Sequence, residues 1–255
     1  MIFDMSKWKL QDKDAEDKTA ENYDLLYNST YFAKKLYNDF ANEIKNIIQS
    51  GKILELACGT GNVTNLLASQ KNLERYCIDF SWKMLQIAKK RCSNCAQSDL
   101  EFLPIENETF DLVYVHSALH HFPSLSQVIS EIERILKSQG YLVIQEPNDH
   151  RIKMDFFLSW CLRLAYKVVK KYPDLSELEV EPSKHHGPTN FDKIITSLEK
   201  SNFKIVKKKF NYYSSYAFSH LDNSLIHLIS CLFDQHYIKK KNDGYLIEII
   251  AKKQN

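Results

Sequence analysis

The chain has 255 residues, of which 44% are hydrophobic and 26% charged, and its net charge at neutral pH is +2. That composition suits one soluble α/β domain with additions, and it excludes the basic excess that draws a protein to nucleic acid or to an acidic membrane. No apolar run reaches membrane-spanning length, and Asp4, Lys7 and Lys9 interrupt any leader-like apolar core, so a cytoplasmic protein is expected.

Residues 1–20 are highly charged and are expected to be frayed or weakly helical. From Glu21 to Gln49 a helical pattern runs through Tyr23, Tyr27, Tyr31, Leu36 and Phe40. Residues 1–50 therefore read as a helical unit ahead of the main domain, which occupies 51–255. Tyr23, Tyr27 and Tyr31 recur at four-residue spacing and share one helix face. That face either packs on the core or forms an aromatic flap over a ligand.

Ile53–Leu56 reads as a buried strand, followed by the loop Ala57-Cys58-Gly59-Thr60-Gly61 and a helix over 62–70. Gly59 and Gly61 permit a sharp turn and close approach of a ligand. N–H groups at this turn and helix start favour a carboxylate or phosphate. Ala57 is small enough for the loop, but its β-carbon argues against a positive φ there. Leu73–Asp79 forms a second strand, and its terminal Asp79 lies about twenty residues beyond the loop, the spacing of a ribose-binding acid. Ser81 is a suitable N-cap for a helix over 82–91. Of six cysteines, Cys92 and Cys95 form one C-x-x-C with no second pair, so free thiols and no metal are expected.

A third strand ends near residues 95–97 and leads to Ser98, Asp99 and Leu100. Leu103-Pro104 introduces a fourth strand at 111–115, with Asp111 in a structural position at its start. His116, His120 and His121 follow that strand, and open α/β sheets bind ligands at this edge. A helix over Ser124–Lys137, a turn at Ser138-Gln139-Gly140 and a fifth strand at 141–146 come next.

The segments E-L-A-C-G-T-G, D-F-S-W-K-M-L, L-P followed by F-D-L-V, L-H-H, and L-K-S-Q-G-Y-L-V-I are similar to those of class I S-adenosylmethionine (SAM)-dependent methyltransferases of the small-molecule type. A nicotinamide dinucleotide fingerprint fits less well, because Asn62 stands where its third glycine would be. The resemblance implies a Rossmann-like seven-stranded sheet, parallel except for an antiparallel last strand. It implies SAM as cofactor and S-adenosylhomocysteine as product. Cofactor contacts are expected from Glu55, Ala57, Cys58, Gly59, Gly61, Asn62 and His116. Further contacts are expected from Asp79 at the ribose, Phe80 and Met84 beside the adenine, and Ser98, Asp99 and Leu100 around its amino group.

Beyond Pro147, residues Met154, Phe157, Trp160, Cys161, Leu164 and Val168 form an apolar stripe opposite Arg163, Lys167, Lys170 and Lys171. We expect a lid helix over the site rather than a membrane-surface helix. Lid insertions are placed at about 150–187 and 214–243, a helix at 190–201, and strands at 203–212 and 244–252. Tyr23, Tyr27, Tyr31, His120, Phe157 and Trp160 are expected around a small apolar or aromatic acceptor, methylated on oxygen first and on ring carbon as the alternative. A non-catalytic SAM-binding protein is the rival reading. Adjacent histidines cannot easily both face inward, so His121 and His186 are chosen as the base, with Glu146 in reserve if burial raises its pKa. No nucleic acid or stable membrane partner is expected, and the chain is taken as a monomer or homodimer.

Overall fold

The structure is a computed structural model that describes residues 7–122, 124–148, 191–212, 234 and 244–255. Two helices come first, α1 (Lys7–Ser29) and α2 (Tyr31–Ile47). They are followed by β1 (Gly51–Leu56), α3 (Asn62–Leu66), β2 (Leu73–Asp79), α4 (Trp82–Ala88) and β3 (Asn94–Gln97). Next come β4 (Phe110–His116), α5 (Leu125–Ile135) and β5 (Leu136–Pro147), and then α6 (Phe191–Glu199), β6 (Phe203–Asn211) and β7 (Leu246–Lys253).

The seven strands form one sheet in the order β3-β2-β1-β4-β5-β7-β6. All neighbouring pairs up to β5 are parallel, and β7 is antiparallel to both β5 and β6. This is the expected Rossmann-like topology. The chain moves outward from β1 in both directions, so a crevice opens at the carboxyl ends of β1 and β4, where ligands bind in such sheets.

Strand alternation divides the core between two faces. Leu112 and Tyr114 point to one face, where Phe40, Ile44, Val63 and Leu67 of α2, α3 and the turn after it cover them. Val113 and Val115 point to the other, against Ile129 and Ile132 of α5 and Ile194 and Leu198 of α6. Both faces are covered, which is why the central strands read as nearly continuous apolar runs. Asp111 is structural, as expected. It accepts the Lys52 N–H at 2.8 Å and the Lys137 ammonium at 2.8 Å. A β-carbon at Gly51 would stand 2.6 Å from its carboxylate oxygen, so that position needs glycine.

Several boundaries depart from the sequence reading; the helices expected over 62–70 and 82–91 end at Leu66 and Ala88. Residues 7–20 are part of a continuous helix rather than a frayed end, because polar contacts described below hold α1 against the domain. The helix expected over 21–49 is broken at Thr30, which is extended and caps α2 through the Ala33 N–H at 3.3 Å. Ser138-Gln139-Gly140 lies inside β5 rather than between α5 and the strand. Leu136 is already extended where α5 ends, and the local bend falls on Gln139, with φ +62°. The expected lid insertions, with Phe157, Trp160 and His186, lie outside the described residues. No helix among the described residues is long and apolar enough to cross a membrane.

The Phe40 ring is fully buried and packs with centroids 6.2 Å from Tyr114 and 5.2 Å from His116, joining α2 to the end of β4. Phe40→Ala is expected to cost about 3–5 kcal/mol of stability. Urea unfolding of mutant and wild type measures this; a loss below about 1 kcal/mol would mean that α2 is not anchored here.

Candidate active site

A cavity of about 630 Å³ opens at the carboxyl edge of the sheet, under α1 and α2. Its floor is the loop after β1. Ala57 adopts φ +49°, contrary to the expectation from its β-carbon. The chain reversal that lets Cys58 N–H reach Ile78 O at 3.0 Å demands this conformation, at a cost of roughly 1–2 kcal/mol that alanine's small side chain keeps bearable. Gly59 and Gly61 follow with φ +51° and +74°.

Three of the loop amides, those of Cys58, Gly59 and Gly61, are engaged within the protein rather than free as the sequence suggested. Gly59 N–H donates to the Asp79 carboxylate at 2.7 Å, and Gly61 N–H donates to Cys58 O at 2.8 Å. The loop therefore presents backbone to the cavity while its own N–H groups hold its shape. Asp79 accepts a second backbone N–H, from Ser81, at 2.7 Å. Ser81 caps α4 through the Met84 N–H at 3.1 Å, as expected. Burial pushes the Asp79 pKa up to about 6, even with both backbone donors opposing it.

Glu55, on β1, accepts hydrogen bonds from the Thr64 N–H at 3.1 Å, from the Thr64 hydroxyl and from Tyr114 OH at 3.4 Å. Burial still raises its pKa to about 8. Of the expected cofactor residues, Glu55, Ala57, Cys58, Gly59 and Asn62 line the cavity, as do Asp79, Phe80, Met84, Asp99, Leu100 and His116. Gly61 and Ser98 stand behind that wall. Gly61 lies where a β-carbon would be 3.2 Å from the Ala88 side chain.

The wall that sequence reasoning missed is the first part of α1. Lys9, Asp12, Glu16 and Thr19 line the cavity together with Tyr23, which was expected there. Their spacing of three, four, three and four residues is one face of a helix. The signal was present in residue order, but all five side chains are charged or hydroxylated, so hydrophobic periodicity did not detect it. Ion pairs and caps clamp this helix down. Lys9 pairs with Asp99 and Glu101. Asp17 accepts from Ser81 Oγ at 2.5 Å and from Lys83 N–H at 3.1 Å. Arg91 forks onto Asp24 at 2.7 and 2.9 Å and also reaches Thr60 O and Asn62 Oδ1. The Tyr23 ring covers the glycine loop, 3.9 Å from where a Gly59 β-carbon would be. Tyr31 is half-buried and outside the cavity lining, and the Tyr27 side chain lies outside the described residues.

The histidines sit at the opposite wall, on a single 3₁₀ turn, Leu119–His121. Both His120 and His121 line the cavity, their ring centroids 4.5 Å apart, so adjacent histidines do face inward together. Glu146 is fully buried behind them. It accepts the N–H groups of Ala118 and Leu119, each at 2.7 Å, and His120 Nδ1 stands 2.9 Å away. Burial disfavours its charge, but His120 and the two amides outweigh burial and hold its pKa below the usual value. This corrects the expectation of a raised Glu146. In return Glu146 raises the pKa of His120 against the opposing effect of burial. His121 Nδ1 lies 2.8 Å from Asp12 of α1. His116, packed on Tyr37 and Phe40, is pushed down to about 4 by burial, and its Nε2 has no hydrogen-bond partner among the described residues.

Comparisons with known proteins agree with this geometry. Residues 54–144 match the family described as a methyltransferase domain. The chain is 35% identical over 142 residues to a demethylmenaquinone methyltransferase of Thermotoga maritima, covering 53% of this chain and 62% of that protein. It is 26% identical over 204 residues to a demethylmenaquinone methyltransferase of Bacillus velezensis, covering 74% of this chain and 88% of that one. The chain spans about three fifths of the length of the first curated relatives that it matches, 62% and 61%. In three dimensions it superposes on a SAM-dependent methyltransferase from Archaeoglobus fulgidus with a TM-score of 0.59 at 16% identity, covering 86% of this chain and 94% of that one.

Glu16 of α1 faces Asp79 and Asp12, and burial followed by those charges raises its pKa to about 7 from 4.5. Its folded pKa is above its unfolded one, so its contribution to stability is full below about pH 4.5 and is lost as pH rises through about 7. Asp79 and Glu55, also raised, act in the same direction over this range. Stability to urea is therefore expected to fall between pH 5 and pH 8. Glu16→Gln should remove a part of that fall on the order of 3 kcal/mol. A mutant with the same pH slope as wild type would mean that Glu16 is solvated and ordinary.

Proposed function

We propose that the chain is a class I methyltransferase that moves a methyl group from SAM to a small apolar or aromatic acceptor, releasing S-adenosylhomocysteine; the match of residues 54–144 to a methyltransferase domain and the Rossmann-like sheet support this. The observation that carries this reading is one cavity holding both a backbone-oriented carboxylate at the glycine loop and a carboxylate-oriented histidine opposite it.

The residues fit the cofactor. Each oxygen of Asp79 accepts one backbone N–H, which leaves each with a further lone pair for one of two vicinal ribose hydroxyls. Gly59 allows close approach without a side chain, and Met84, Phe80 and Leu100 offer apolar surface to a purine. Asp79 and Glu16, two carboxylates on the wall, favour a cationic ligand over a neutral one. SAM supplies a methyl group already activated on a sulfonium.

The chain's own tasks are then alignment, exclusion of water and proton removal. Positioning an acceptor in line can account for ~7–11 kcal/mol of barrier lowering. The base is His120 rather than His121. Its Nδ1–H donates to Glu146, which fixes the tautomer and leaves Nε2 as the basic nitrogen. An acceptor hydroxyl in reach would pass its proton to that nitrogen, a contribution of roughly 10²–10⁴-fold. Oxygen methylation follows directly. The named activity of the relatives favours a second reading, methylation of a ring carbon, because loss of a phenolic proton also makes the adjacent carbon nucleophilic. Both readings use His120 in the same way.

Calorimetric titration with SAM and S-adenosylhomocysteine tests the cofactor. Asp79→Ala should lose two charge-assisted hydrogen bonds, at least ~3 kcal/mol or about 100-fold in affinity. Unchanged affinity would discard the ribose assignment. Incubation with methyl-labelled SAM and a metabolite pool then identifies the acceptor, and the position of the label separates oxygen from carbon. His120→Gln should lower turnover at least ~100-fold with SAM affinity kept, and Glu146→Gln should move the acid limb of the rate profile to lower pH. Binding of SAM with no labelled product in any pool would favour the non-catalytic alternative.

A further inference from the structure

The cysteines carry a second site, independent of the methyl-transfer reading. Cys77 lies in the middle of β2 and Cys95 in β3, and the two are direct partners in the parallel register of those strands. Adjacent strands lie about 4.8 Å apart, so side chains on the same face of paired positions are neighbours. Cys92 lies in the turn between α4 and β3. The sulfurs of Cys77, Cys92 and Cys95 lie within 4.8 Å of one another. None is in a disulfide. Sequence spacing showed only the C-x-x-C of Cys92 and Cys95, because the third sulfur comes from another strand.

We propose that Cys77, Cys92 and Cys95 form a thiolate site for a soft divalent cation of the Zn²⁺ class. Three cysteine sulfurs converging from two strands and a turn are the donor set that such ions take, and no hard-ion ligand is among them. Leu85 and Ala88 of α4 cover the cluster, while Cys95 is half-buried and gives ion and water a path to the fourth position. As three metal–sulfur bonds form, the thiol protons leave to solvent, and no oxidant or reductant is required. The assembled site carries one net negative charge. Arg75 lies beside Cys92 to offset it, held there by a hydrogen bond to Thr64 O at 2.9 Å.

Cys58, in the glycine loop, is buried in the same cluster as Cys77 and Cys92, and its thiol donates to Gly59 O at 3.5 Å. The site thereby ties the loop after β1 to β2 two residues before Asp79, so an ion there would brace the cavity floor from behind.

The test uses the untagged full chain, reduced and freed of metal, then titrated with Zn²⁺ and separately with Co²⁺. We expect one ion per chain and, with Co²⁺, the intense sulfur-to-metal charge-transfer absorption of thiolate coordination. Cys95→Ser, at the half-buried position, should stay folded by circular dichroism and weaken binding at least about 100-fold. Cys92→Ser should do the same. Failure of the reduced wild type to take up either ion, or uptake unchanged in both Cys95→Ser and Cys92→Ser, overturns the proposal. SAM titration of the same samples would be informative about the methyltransferase reading alone.

Discussion

The carboxylate of Asp79 is the interaction on which the rest of the site depends. It accepts one N–H from the loop after β1 and one from the start of α4, so a single buried group fixes two chain segments. Losing either donor would leave a charge in a largely dry place, which is far more costly than the bond itself is worth. The positive φ values at Ala57, Gly59 and Gly61 exist to deliver that loop to this acceptor. Ser81, placed by Asp79, in turn caps α4 and receives Asp17 of α1. One acid at a strand end thus sets the floor, the neighbouring helix and the docking point of the outer wall.

That outer wall is polar, and its attachment follows from this. α1 presents carboxylates and a lysine to the cavity and is held by ion pairs and caps more than by a broad apolar face. Isolated exposed pairs contribute little, but the forked Arg91–Asp24 contact and the partly buried Lys9 contacts have geometry that holds two partners at once. Such a helix is stable as a docked element and weak as a free one. The elements beneath it, β1, β4 and α2, are joined by apolar packing around Phe40 and Tyr114 and do not depend on it. A rigid floor under a wall held by polar contacts suits a cavity that must admit and release ligands.

Ionisable groups are concentrated at one edge of the sheet, and burial sets them apart from one another. Glu16 and Glu55 are pushed toward neutrality. Glu146, equally deep, is held below its usual pKa by His120 together with two amides. Glu55 also accepts three hydrogen bonds, all from neutral donors, so what separates the two carboxylates is the positive charge that His120 can bring to Glu146. His116 and His120 also divide: burial lowers the proton affinity of the first, and Glu146 raises that of the second against burial.

Much of this was legible in residue order, and for a local reason. The strand–loop–helix at 53–66, Asp79 at the end of β2, the Ser81 cap and the strand periodicities are short-range patterns, and they were enough for the elements and for most of the cavity floor, whereas the sheet topology followed from the resemblance those segments carry. What the sequence alone determined was which groups stand at the carboxyl ends of the strands. Tertiary structure decided what those groups meet. It folded charged residues 7–20 into a wall, because contacts with Asp99, Ser81 and His121 are remote in sequence. It turned Glu146 from a candidate base into the support of His120, because a carboxylate's pKa depends on donors supplied by another strand's exit. It joined Cys77 to Cys92 and Cys95 through strand register, a relation no spacing reveals. Local order sets which side chains face an edge, whereas burial and partners, which set their chemistry, exist only once the strands are paired.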